Sequence, residues 1–255
     1  MSNDRPLLSI VVPAYNEERR LPTTLDTIIA YLHSQDYPAE LVIVDDGSSD
    51  GTVQVVERFM DRYPGLRLIR NDHRGKAYTV RTGVLAAKGQ YVIFTDADLA
   101  VPIEETDKAL AALMEGHDVV IGSREAPGAR RYNEPFYRHL MGRVFNVIVR
   151  LVALPGLQDT QCGFKGLRRD VAQDLFRRLR LYGADAGTIK GGAVTGFDVE
   201  LLFLARKRGY TIKEVPVQWY YGTGAKVNPL RDSWRNFNDV LQVRLNDWRG
   251  GYDAQ

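Results

Sequence analysis

Residues 41 to 48 read Leu41-Val42-Ile43-Val44-Asp45-Asp46-Gly47-Ser48: four apolar residues that run straight into two carboxylates, a glycine and a serine. A short apolar run bounded by turn residues is the pattern of a buried strand. Just beyond it, Asp50-Gly51-Thr52 offers an N-cap for the helical periodicity of Val53 to Arg62. Moving outward, Leu8 to Val12, Leu66 to Ile69, Tyr91 to Thr95 and Val119 to Ile121 repeat the apolar run, each beside an amphipathic stretch, and Pro102 precedes a helical run from Ile103 to Glu115. Strands that alternate with helices in this way predict an α/β fold, a mostly parallel sheet flanked by helices.

The second half is less regular. It holds an apolar and basic stretch from Pro135 to Val152, a glycine-rich segment without periodicity from Tyr182 to Gly196, a leucine-rich helical stretch from Phe197 to Arg208 and a strand from Thr211 to Trp219. There is no internal repeat and no low-complexity tract. A single domain over residues 1–255 is expected, with a nucleotide-binding half at about 7–123 and an acceptor-binding half at about 124–247.

At 255 residues and 44% hydrophobic, the chain can bury one large core. Its apolar runs fall well short of the ~20 residues needed to cross a bilayer, and Met1 to Pro6 is too polar for a signal peptide. Cys162 is the only cysteine, which excludes an intramolecular disulfide and a thiolate zinc site. A net charge of +2 gives no footprint for nucleic acid. A cytoplasmic location is expected.

In an open parallel sheet, ligands bind beyond the carboxyl ends of the strands, where strand order reverses. Three of those ends are polar or acidic: Pro13-Ala14-Tyr15-Asn16-Glu17, Asp45-Asp46-Gly47-Ser48 and Asp96-Ala97-Asp98. Any one of them reads equally as a cap or turn; three together point to a site. If strand geometry persists through Asp96 and Asp98, both carboxylates face one side and share a divalent cation. Hard oxygen ligands favour Mg2+ or Mn2+, which would neutralise charge on a departing diphosphate. The Asp45 carboxylate can accept the ring N–H of uracil or of guanine, so it does not separate the two bases. Lys76 and Arg81 are candidate diphosphate contacts; the competing reading is a solvated helix face.

These motifs, Val11-Val12-Pro13-Ala14-Tyr15-Asn16-Glu17, Val44-Asp45-Asp46-Gly47-Ser48 and Asp96-Ala97-Asp98, resemble family 2 glycosyltransferases with the GT-A fold. Downstream, Gly122-Ser123-Arg124, Asp159-Thr160-Gln161-Cys162-Gly163-Phe164-Lys165, Phe197-Asp198-Val199-Glu200-Leu201-Leu202 and Gly224-Ala225-Lys226-Val227 are similar to the dolichyl-phosphate glucosyltransferase branch, related to the dolichyl-phosphate mannose synthases. The likeness runs from Leu8 to Arg244. It implies an inverting, metal-dependent transfer of a hexose, glucose favoured, from a UDP- or GDP-sugar to a polyprenyl phosphate. It also implies donor contacts at Pro13, Tyr15, Glu17, Asp45 and Arg81, with metal and diphosphate at Asp96 and Asp98. Acceptor phosphate falls to Arg124 and Arg138, and Lys226 approaches the donor phosphates. The chain departs from the branch at Ala77 and Tyr78, where glycines often stand, at Val194-Thr195-Gly196, where Arg-Trp-Ala is common, in a longer segment from Tyr182 to Gly196, and in having no segment of membrane-anchor length.

Arg124, Arg130, Arg131, Arg138, Arg143 and Arg150 outnumber Glu125 and Glu134, and from Pro135 onward the basic residues interleave with apolar ones. Such a helix either lies in a membrane interface, peripheral on the inner face, or packs in the core with snorkelling arginines. A polyprenyl phosphate has a second pKa of about 6 and attacks without a general base. A sugar or other hydroxyl acceptor needs one, and Asp198 or Glu200 is the candidate; Asp198 serves equally as a buttress. A nucleotidyltransferase would carry a glycine-rich phosphate loop after the first strand, which is absent, and a binding protein without turnover would be expected to have lost Asp96 or Asp98.

Overall fold

A computed structural model describes residues 5–135, 142–143, 146–147, 149–150, 152–183, 187, 196–222 and 229–253, with the backbone alone for 229–236. Seven strands form the main sheet: β1 (Leu8–Ala14), β2 (Ala39–Asp45), β3 (Leu66–Arg70), β4 (Tyr91–Phe94), β5 (Val119–Ser123), β7 (Lys165–Arg168) and β8 (Ile212–Pro216). Their order is β3-β2-β1-β4-β7-β5-β8, and β6 (Arg130–Tyr132) pairs with β9 (Gln218–Tyr220) in a small second sheet. All pairs are parallel except those of β7, which runs against both β4 and β5.

Strand alternation sorts the core into two layers. Leu8, Ile10 and Val12 of β1, with Leu41 and Ile43 of β2, pack on α1 (Leu21–His33), α2 (Thr52–Phe59) and α4 (Thr106–Met114). Val11, Val42, Val44 and Phe94 pack on the other face against α3 (Lys76–Ala86), α5 (Arg169–Arg178), α6 (Phe197–Lys207) and α7 (Pro229–Trp248). Both sheet faces are covered, which is why the strands read as continuous apolar runs.

Three expectations change. The strand from Thr211 to Trp219 divides into β8 and β9, because Val217 takes its bonds from different partners: its N–H donates to Ser123 O, and its own carbonyl accepts Arg130 N–H. The helices expected over Val53 to Arg62 and Ile103 to Glu115 each give up one end to a 3-10 turn, Met60–Arg62 and Ile103–Glu105. β7 and α5 had no forecast, since Lys165-Gly166-Leu167-Arg168 carries a charge at each end and no apolar run.

In the basic stretch, Val149 is a core residue while Val147 and Arg150 are exposed. Both acids of the stretch, Glu125 at 2.5 Å and Glu134 at 2.7 Å, pair with Arg131. Among the described residues, no helix is long and apolar enough to cross a membrane.

Candidate active site

β1 lies between β2, the next strand in sequence, and β4, so strand order reverses there. Pairing of β1 with β4 stops at Val11 and Phe94, whereas pairing with β2 continues to Ala14 and Asp45. A crevice opens at the carboxyl end between β1 and β4, the position expected for a ligand. Pro13 falls at this divergence, where a missing N–H leaves no ladder bond unmade.

The first two strand ends are laced together. Asn16, at φ 53, donates its N–H to Ser48 Oγ at 2.9 Å and accepts Ser49 N–H on its side-chain oxygen at 2.9 Å. Glu17 N–H donates to Thr52 Oγ1 at 2.8 Å, and the Glu17 carboxylate pairs with Arg20 at 2.8 Å. Tyr15 stacks on His73, with centroids 3.9 Å apart and planes 5° apart, making a flat platform. Asp45 is buried; its Oδ2 accepts Ser48 N–H at 3.2 Å, and its Oδ1 finds no partner among the described residues. A buried acceptor left open in this way can take a further donor.

Asp46 is an organiser. It accepts the N–H groups of Arg74 and Gly75, both at 2.9 Å, and contacts His73 Nδ1 at 2.8 Å. Those bonds fix the turn into α3, where Gly75 at φ +92 takes a conformation that side chains avoid. Lys76 is thereby set at the start of α3, in an ion pair with Asp96. Burial works against its charge, but Asp96, then Asp198 and Asp98, outweigh it and hold the ammonium above its ordinary pKa.

β4 ends at Phe94, so strand geometry does not persist through the Asp96-Ala97-Asp98 motif, as one route to a shared cation required. A turn brings the two carboxylates within mutual influence instead. Leu99 N–H closes on Asp96 O at 3.1 Å, Ala100 N–H on Asp98 Oδ1 at 3.1 Å, and Thr24 Oγ1 holds Ala97 O at 2.6 Å. Asp98 is open to solvent but crowded by surrounding chain; that desolvation, and then the like charge of Asp96, push its carboxyl upward. Two neighbouring carboxylates, with Lys76 alongside, are a donor set suited to a hard divalent cation.

Across the site, Arg124 is stapled to Asp159. Nε donates to Oδ2 at 2.7 Å, a terminal nitrogen donates to Oδ1 at 2.9 Å, and the backbone N–H adds a third bond at 2.9 Å. Asp159 is fully buried, and although burial opposes its charge, Arg124 brings its carboxyl down to about 2. Trp219 of β9 lies against the guanidinium, 5.3 Å from centroid to carbon.

Asp198 opens α6 and accepts the ammonium of Lys165 at 2.5 Å. Glu200 points elsewhere: it accepts Arg180 N–H at 2.8 Å, Leu181 N–H at 3.2 Å and the Tyr252 hydroxyl at 2.8 Å, which removes it as a candidate base. Arg81 lies about 140° round the helix from Lys76, and its Nε donates to Phe176 O at 3.1 Å, tying α3 to α5. The structure therefore gathers Lys76, Asp96, Asp98 and Asp198, and does not set Arg81 with them. Arg138 and Lys226 lie outside the described residues. The sequence had assigned no role to Lys165, His73 or Trp219, for which a lone lysine, histidine or strand aromatic gave no signal.

Solved structures with this arrangement of strands and helices are glycosyltransferases, and the fold is of the GT-A type. The chain belongs to glycosyl transferase family 2, whose model matches residues 9–176. It is 32% identical to the dolichyl-phosphate beta-glucosyltransferase of Dictyostelium discoideum, over 95% of this chain and 75% of that one. With the enzyme of the same name from Drosophila melanogaster it shares 35% identity, over 92% of this chain and 74% of that one. Among solved structures, it superposes on a Pyrobaculum calidifontis mannosyltransferase in complex with GDP-Man and Mn2+ with a TM-score of 0.60 at 23% identity, covering 97% of this chain and 65% of that longer one. It superposes equally on glucosyl-3-phosphoglycerate synthase of Mycobacterium tuberculosis in complex with Mn2+, UDP and glucosyl-3-phosphoglycerate, at TM-score 0.60 and 20% identity, over 94% and 79% of the two chains.

Proposed function

We propose that the protein transfers glucose from a UDP- or GDP-sugar to a polyprenyl phosphate at the cytoplasmic face of a membrane, with inversion at the anomeric carbon. One observation carries the reading: an arginine stapled by a fully buried aspartate, Arg124 on Asp159, is joined through one short loop to the acidic turn at Asp96. An arginine on one side, and on the other a carboxylate pair suited to a cation with Lys76 beside it, suit a phosphate acceptor and a diphosphate donor. The printed names of relatives that match more than nine-tenths of the chain support the same acceptor class.

The donor base lies by the Tyr15 and His73 platform, and its ring N–H meets the open oxygen of Asp45. Pro13 and Glu17 line the same crevice. The diphosphate lies at the start of α3, where Lys76 adds a charge to the free N–H groups of the first turn. Asp96 and Asp98 would hold the Mg2+ or Mn2+ ion, which supplies charge compensation for the departing diphosphate. Arg124 orients the acceptor phosphate; two bonds to Asp159 preset its plane, so little is lost when the anion arrives. With a second pKa of about 6, the phosphate is a dianion at neutral pH and needs no base. A single displacement then inverts the anomeric centre.

A hydroxyl acceptor would need Asp198 as general base. Its carboxylate is 11% exposed and already engaged by the Lys165 ammonium, so it is not free to reach a hydroxyl. The reading is tested by supplying Mn2+ or Mg2+ and a panel of UDP- and GDP-sugars, with and without a polyprenyl phosphate. The expected result is acceptor-dependent nucleotide release together with a glycolipid. Release matched by glycosylation of a soluble hydroxyl compound would replace this reading by the second.

A further inference from the structure

The loop from Asp159 to Lys165 touches three parts of the site. Its first residue grips Arg124. Gly163 carries the Asp96 carboxylate against its backbone. Its last residue, Lys165, is fully buried and donates to Cys162 O at 2.6 Å and Asp198 Oδ1 at 2.5 Å. The other end is pinned by Glu214, which accepts Gln158 N–H at 2.9 Å and Asp159 N–H at 3.0 Å. Charges alternate along the whole path: Asp96, Lys76, Asp198, Lys165, Asp159, Arg124. Beyond the direct pairs, Asp198 acts through space on Lys76, and Lys165 on Asp159.

A buried ammonium is an expensive way to fill a core, since a well-packed apolar pair of the same volume is generally no less stable. Its value lies in geometry: one cation ties the loop's own carbonyl to the first turn of α6. On the donor and acceptor sides assigned under the proposed function, we propose that Lys165 is a positioning residue of the transfer reaction, fixing the spacing between Lys76 on the donor side and Arg124 on the acceptor side. Without it, Asp198 is left as an unpaired carboxylate that competes with Asp96 for Lys76, and the loop that carries Asp159 loses its inner anchor.

The experiment compares the full-length wild type, Lys165→Met, and the double variant Lys165→Met with Asp198→Leu, which removes the ion pair whole. UDP affinity is read by calorimetry in the presence of Mn2+, and the acceptor KM by glycolipid formation. In Lys165→Met, both constants are expected to worsen by about tenfold while the unfolding transition stays cooperative. Wild-type constants in a folded Lys165→Met protein overturn the proposal. If that variant does not fold, the double variant decides: both losses in a folded protein support the proposal, and wild-type constants overturn it. If the wild type glycosylates no polyprenyl phosphate, the functional reading falls, and UDP affinity alone then decides for Lys165: weakened in the variant it supports the positioning role, unchanged it overturns it.

Discussion

The carboxylate of Asp96 rests on the backbone of Gly163, so closely that a β-carbon there would stand 2.2 Å from Oδ2. The obstacle is the charged end of a residue that also holds Lys76. Gly163→Ala is therefore expected to move Asp96 off Lys76 and to lower transfer by about tenfold to a hundredfold, with the fold kept. A steady-state assay beside a thermal unfolding scan checks this; wild-type turnover would show that Asp96 can shift without consequence.

Asp98 carries a raised carboxyl pKa, so the folded protein disfavours its charge at neutral pH. The sign follows: Asp98→Asn should raise the unfolding temperature of the metal-free protein while removing the extra stabilisation by UDP with Mn2+. Transfer by Asp98→Ala should fall by at least about a hundredfold. In the wild type, protons should begin to displace the cation at a pH above the ordinary carboxylate range of about 4. Mn2+ titrations at several pH values read this, and metal affinity that is flat down to that range would count against the assignment.

Asp159 behaves in the opposite sense. Its pKa is about 2 in the folded protein against 3.8 for the free group, so its contribution is complete above the higher value and is lost as pH falls from there towards about 2. Asp159→Asn should cost about 3 kcal/mol at pH 7 by leaving the half-buried Arg124 without its counter-ion. The difference from wild type should shrink across that acid window. Urea denaturation at neutral and acid pH measures both limbs, and a neutral-pH stability equal to wild type would show that the pair contributes nothing.

Asp45→Asn exchanges the open buried acceptor for a group that can also present N–H. If a base N–H is the missing partner, affinity for the free nucleotide diphosphate should fall by about tenfold to a hundredfold, and the change should be the same with or without acceptor. Calorimetry with UDP and with GDP reads it. An effect only on acceptor KM would place Asp45 outside the base site.

Strands β1, β2 and β4 were legible because they are buried on both faces, so each is an apolar run closed by a polar or acidic turn; Leu41-Val42-Ile43-Val44 needs no context. The acidic ends followed from the same pattern. β7 was not legible because its one buried charge, Lys165, looks like a surface residue until Asp198, distant in sequence, is brought to it. Packing alone shows that Arg81, a diphosphate candidate in the sequence, donates its Nε to the end of α5. Asp96 and Asp98 come together through a turn, though alternation along a strand was one route by which they were expected to meet.

The reversed direction of β7 has a consequence for recombination between family members. Because it runs against its neighbours, it enters the sheet at the rim where β4 and β5 leave it, with Lys165 in register with Phe94 and Ile121. A chimera that exchanges acceptor-recognising segments at residue 158 would separate Asp159 and Lys165 from the strands that seat them. Crossing over after Arg168 keeps β7 with β4 and β5, and the graft must then supply the carboxylates at 198 and 214 that hold the loop from its far side.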